Sequence, residues 1–175
     1  SFAHDLAAAK MPHDAGMIGP VRGNRDARHW KEEDETMNER SFRVRLTCRY
    51  EDPDNSVADL SVEVLTDGGW ENLDVNVQTP GFLLFVYTIL SCQHRYLRTN
   101  CAEKDFRLES ACGSIDLLAT EDWFVRRMYI RFDLRLVSGN PTRDDLDDIV
   151  GRMEQCPVSK NLKPISDSRT EIFIT

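Results

Sequence analysis

The 175-residue chain carries a formal charge of −8 and gathers Lys and Arg into no basic cluster, which argues against nucleic acid and against a membrane surface as partners. Its longest apolar run, 81–90, is too short to span a bilayer, and five cysteines without a Cys-x-x-Cys pair fit neither a secreted disulfide framework nor a structural zinc site. A soluble, cytoplasmic domain with reduced thiols and no metal or cofactor is the expectation.

Residues 1–40 bring Pro12, Gly16, Gly19, Pro20 and Gly23 and then a charged stretch from Arg28 to Arg40. They read as an N-terminal arm ahead of a domain over 41–175, and His4, His13 and His29 lie there without ligand spacing. From Ser41 the sequence alternates strictly, with Phe42, Val44, Leu46, Cys48 and Tyr50 on one face and Arg43, Arg45, Thr47 and Arg49 on the other. That is a half-buried strand, and its phase places Cys48 inside as a small hydrophobe. A turn over 52–56 leads to a second strand through Leu60, Val62 and Val64. Asp67-Gly68-Gly69 turns into a third with Leu73, Val75 and Val77, completing an antiparallel meander.

Thr79 and Pro80 suit the N-cap and first position of a helix. The run from Phe82 to Leu90 is apolar on every side, so periodicity alone leaves it as either a buried strand or a buried helix. Continued as a helix it turns polar after Ser91, and Cys92 then sits among Gln93, His94, Arg95, Arg98 and Asn100, where a dry helix meets a wetter, cationic end. His94, two residues on, falls on a different face from Cys92 and reads as an ordinary polar helix residue. Strands follow around Phe106 and Leu108 and, in clear alternation, from Met128 to Leu136. Gly139-Asn140-Pro141 opens a second helix, whose first turns carry Asp144, Asp145, Asp147 and Asp148 against the positive end of the backbone dipole. A short strand over Glu171 to Thr175 ends the chain, with Ile172 and Ile174 inward.

Leu146, Ile149, Val150 and Met153 are spaced for one face of that second helix, and Cys156 continues the stripe, so its thiol points inward. Pro157 disfavours helix at the residue before it and suits the first position of a new turn. Cys156 would then lie at the positive end of that turn, where a thiolate is stabilised.

Cys156-Pro157-Val158-Ser159 after an acidic amphipathic helix, with a cysteine in an apolar helix upstream, resembles the OsmC/Ohr family of osmotically inducible and organic hydroperoxide resistance proteins over residues 41–175. The resemblance implies an α+β fold: a three-strand meander, a central buried helix, two strands, a second helix and a final strand, with two chains intertwined as a homodimer. It decides for helix over Phe82 to Leu90. It makes Cys92 the peroxidatic and Cys156 the resolving thiol of a peroxidase that reduces organic hydroperoxides and is recycled by a dithiol donor such as a lipoylated protein. Cys48, Cys101 and Cys112 have no counterpart.

Two departures qualify the match. The family's Glu, which holds an Arg beside the reactive thiolate, corresponds to Leu83, and the Arg itself is matched in position near the end of the first strand by Arg49, where the turn that follows differs from the family's. Arg95, three residues beyond Cys92 and therefore its neighbour on a helix, reads equally as a substitute cation and as a solvated surface residue. The alternative is a non-enzymatic module of the same fold, redox-sensitive or ligand-binding, with the apolar first helix lining a pocket.

Overall fold

The computed structural model describes residues 39–162 and 167–174, so the N-terminal arm read over 1–40 lies almost wholly outside the described residues. Six strands form one sheet in the order β3-β2-β1-β4-β5-β6. The strands β1 (Arg40–Glu51), β2 (Ser56–Thr66) and β3 (Gly69–Asn72) make the expected antiparallel meander. After the helix α1 (Gly81–Glu103), β4 (Arg107–Ala119) pairs with β1 on one side and with β5 (Val125–Ser138) on the other. The helix α2 (Arg143–Met153) leads to β6 (Asp167–Ile174), which lies parallel to β5. A parallel neighbour requires a crossover, and the segment containing α2 supplies it. This is an α+β architecture, with the strands and helices in the order implied by the sequence resemblance.

The alternation in β1 buries Val44, Leu46 and Cys48, and the same sheet face presents Ile115, Leu117, Ile130, Phe132 and Leu134. The helix α1 covers that face with Val86, Ile89, Leu90 and Leu97, and α2 adds Leu146, Ile149 and Met153 beside it. Gly113 lets Phe132 lie across β4, since a Cβ there would stand 2.5 Å from the Phe132 ring. The opposite sheet face is a lattice of charge, with Arg45 reaching Glu63 at 2.6 Å and Arg131 reaching Asp133 at 2.6 Å.

Several boundaries differ from the sequence expectation for local reasons. The third strand ends at Asn72, and Val75 and Val77 stand 58% and 97% exposed in the loop that follows. Thr79 does not cap α1, whose N-cap is Pro80; its hydroxyl is used in the loop, accepting from the Asn76 amide at 2.9 Å and donating to the Asp74 carbonyl at 3.1 Å. The helix α2 starts after Thr142, which forms a capping box with Asp145. Asp145 and Asp148 also meet Lys104 at 3.2 and 3.1 Å. The final strand begins four residues before Glu171, at Asp167.

Candidate active site

The helix α2 stops at Met153, and the chain turns through Cys156, whose amide bonds the Met153 carbonyl at 3.0 Å. Pro157 donates nothing, and a single 3-10 turn, Ser159–Asn161, follows. The break read at Cys156-Pro157 is therefore present, and the thiol points inward with no exposure. Ser159 folds back on it: its amide donates to Cys156 Sγ at 3.2 Å, and its hydroxyl lies 3.1 Å from the same sulfur.

From the other side α1 brings Cys92, half-buried, to face Cys156, near enough for each thiol to influence the other's titration, and not at disulfide distance. All five cysteines are free thiols. The two sulfurs differ in their surroundings. Burial works against charge on Cys156, yet donation from Cys92, from the Ser159 hydroxyl and amide and from the Val158 amide outweighs it, and the thiol is held below its ordinary value. Cys92 is pushed up, by burial first and then by facing Cys156, with the Val158 amide and the charge of Arg95 opposing.

The neighbours of Cys92 are not the wet helix end expected. Gln93 and His94 are 1% and 6% exposed, because residue 93 continues the buried stripe of Val86, Ile89, Leu90 and Leu97. Gln93 Nε2 donates to the Ser159 hydroxyl at 3.0 Å, and its Oε1 accepts from the Thr170 hydroxyl of β6 at 3.2 Å. His94 turns toward β1, where its Nε2 lies 2.6 Å from the Tyr50 hydroxyl and its ring stacks on Phe132. Burial, with the nearby Arg98 charge, pushes its pKa down to about 4, so the imidazole is neutral near pH 7.

The remaining residues singled out in the sequence fall outside this centre. Arg95 is exposed on α1, and its charge is the smallest of the influences on Cys92. Leu83 is partly buried among apolar side chains. Arg49 faces outward from β1 and pairs with Asp59 at 3.7 Å, so it does not stand beside either thiol of the pair. Cys48 and Cys101 are buried in the core, Cys101 pushed up to about 12 by burial, and Cys112 lies on the outer face of the sheet.

No family model and no curated protein matches the sequence. Among solved structures the chain is similar to OsmC-like proteins. One is an OsmC-like protein from Mycoplasma pneumoniae, at 10% identity over 82% of this chain and 98% of that one, with a TM-score of 0.44. Another is an OsmC-like hydroperoxide resistance protein from Jannaschia sp. CCS1, at 12% identity over 70% and 86%, with a TM-score of 0.48. A third is an organic hydroperoxide resistance protein of Bacillus subtilis, at 14% identity over 74% and 96%, with a TM-score of 0.36. Identities of this size say nothing about individual side chains, so the chemistry rests on the residues of this chain. No described helix is long and apolar enough to cross a membrane.

Proposed function

We propose that the chain is a thiol-dependent peroxidase that reduces organic hydroperoxides through Cys92 and Cys156. The observation that carries this reading is that a half-buried thiol on α1 faces a fully buried one in the turn after α2, closely enough for each to shift the titration of the other. Cys92, the more accessible of the two, attacks the peroxide as its thiolate; the O–O bond breaks, Cys92 becomes a sulfenic acid and the alcohol leaves. The Cys156 sulfur then attacks the sulfenic sulfur, releasing water and forming a disulfide that an external dithiol, such as a lipoyl group, reduces. A second copy of the chain is the partner assigned to the remaining side of α1, as a homodimer in the cytoplasm.

The second reading, a non-enzymatic redox-sensitive or ligand-binding module, is favoured by the raised Cys92 thiol together with the apolar Leu83 in place of a carboxylate. Consumption of a bulky organic hydroperoxide in the presence of a dithiol separates them. Turnover lost in Cys92→Ser supports the peroxidase; a parent protein inert toward peroxide overturns it in favour of the module.

A further inference from the structure

The Ser159 hydroxyl has one hydrogen to give and two lone pairs to receive with. One lone pair is taken by Gln93 Nε2 at 3.0 Å, and the other neighbour of the oxygen among the described residues is Cys156 Sγ at 3.1 Å. Which way the Gln93 amide faces therefore decides whether the Ser159 hydrogen is available to the sulfur. With Nε2 toward Ser159, the hydroxyl hydrogen is not spent on Gln93 and is free to point at the sulfur, where it stabilises a thiolate, while the second lone pair can receive the S–H when Cys156 is protonated. With the amide reversed, Ser159 would donate to Gln93 and receive from a Cys156 S–H, which requires the protonated thiol. The Thr170 hydroxyl, donating to Gln93 Oε1 at 3.2 Å, holds the first orientation. The Ser159 amide, 3.2 Å from the sulfur, donates in the same sense.

We propose that Gln93 is a positioning residue that, held by Thr170, fixes the polarity of the Ser159 hydroxyl and so makes buried Cys156 the resting thiolate of the pair, while Cys92 carries the proton. This rests on the reading of Cys92 and Cys156 as a working pair, and it adds that the two thiols share one negative charge whose resting place is the inner sulfur. Cys156 is then the acceptor for the Cys92 proton: transfer of that proton leaves Cys156 neutral and Cys92 a thiolate facing solvent, with the charge of the pair unchanged. The placement is economical in a site without a carboxylate at position 83, because the charge is stabilised by fixed donors that also hold α1, the 3-10 turn and β6 together.

Thiolate absorbance followed across a pH titration tests the proposal without requiring any peroxidase activity, so its failure is distinguishable from failure of the enzymatic reading. Cys48, Cys101 and Cys112 are all pushed up, chiefly by burial, and leave the lower range clear. The parent protein shows one thiolate per chain with a midpoint below that of an ordinary cysteine, retained in Cys92→Ser and lost in Cys156→Ser. Ser159→Ala and Gln93→Leu raise the midpoint by roughly one pH unit or more. Thr170→Val raises it less, and Thr170→Ser, which keeps the hydroxyl, restores it. Folding of each variant is checked by circular dichroism. A low midpoint that survives in Cys156→Ser, or one that a folded Gln93→Leu variant leaves unmoved, would overturn the assignment.

Discussion

The Tyr50 hydroxyl in β1 and Nε2 of His94 in α1 lie 2.6 Å apart, joining the sheet to the central helix two residues beyond Cys92. Burial with the Arg98 charge lowers the His94 pKa from 6.5 to about 4, so between these values the unfolded chain binds a proton that the folded chain does not. His94 therefore contributes stability that is full above pH 6.5 and lost as the pH falls toward 4, on the order of 3 kcal/mol across the window. Urea unfolding at several pH values measures it. His94→Gln is expected to flatten the fall relative to the parent; two parallel curves would show that His94 does not titrate in this way.

Asn55 predicts a second stability effect. It is 3% exposed and has a backbone φ of 52°, in the left-handed region that Asn tolerates well. Its side chain donates to the carbonyls of Arg98 and Phe106 at 3.3 and 3.0 Å and accepts from the Leu108 amide at 2.8 Å. The turn between β1 and β2 is thereby tied to the end of α1 and the start of β4. Asn55→Ala leaves these buried groups unpaired and is expected to cost about 3 kcal/mol or more in denaturant unfolding. Asn55→Gly, which keeps the backbone conformation, is expected to be nearly as costly; full stability in that variant would place the effect in the backbone and not in the hydrogen bonds.

These two residues also mark what the sequence makes legible. Alternation in β1 and the stripe of α2 follow from periods of two and 3.6, so spacing alone places Cys48 and Cys156 inward. The break at Pro157 follows from its missing amide hydrogen. Gln93 was legible in principle, since a polar residue on the stripe of Ile89 and Leu97 must find partners once buried, but reading residues 93–100 as a wet helix end hid it. Its partner Thr170 is 77 residues away and arrives only through the parallel pairing of β6, which no local pattern announces. The pairing of Tyr50 with His94 is hidden for the same reason. Leu73 still bonds β2, its amide donating to the Val62 carbonyl at 2.9 Å, whereas the alternation of Val75 and Val77 continues past the last residue that β3 pairs with β2.

Arg95 predicts a small kinetic effect. Its guanidinium is exposed, and charge through solvent is worth about 0–1 kcal/mol, so Arg95→Ala is expected to slow the first oxidation of Cys92 by less than about five-fold. Added salt is expected to shrink the difference between parent and variant. Stopped-flow oxidation by an organic hydroperoxide checks both. A loss greater than about a hundred-fold, insensitive to salt, would mean that Arg95 contacts the peroxide directly.

In the same experiment Cys156→Ser is expected to consume one equivalent of peroxide in forming the Cys92 sulfenic acid and further equivalents, more slowly, in forming sulfinic and sulfonic acids, because the sulfenic acid has lost its resolving thiol. Cys92→Ser is expected to consume none by this route. Intact mass after peroxide treatment distinguishes the two, and an unmodified Cys92 in the Cys156→Ser variant would refute its assignment as the nucleophile.

The proposed homodimer can be tested on the side of α1 turned away from the sheet. Leu84, Thr88, Ser91 and Arg95 follow helical spacing, and Thr88 and Arg95 on this face are exposed while Leu84 and Ser91 are only partly buried. Beside them Phe82, Leu83, Phe85 and Tyr87 are also only partly buried, in a segment whose sequence is apolar all round. One sheet covers one side of such a helix, and a second chain laid against the other would remove Leu84 from water. Light scattering at micromolar concentration is then expected to give twice the chain mass of 20.1 kDa. Leu84→Asp, which would set an unpaired carboxylate into that contact, is expected to weaken association by roughly a hundred-fold or more. The substitution touches no part of the hydrogen-bond network of Cys156, Ser159, Gln93 and Thr170, so the thiolate titration of the variant should match the parent. A parent protein that remains a folded monomer at micromolar concentration would remove the dimer, and a Leu84→Asp variant that associates as tightly as the parent would place the contact elsewhere on the molecule.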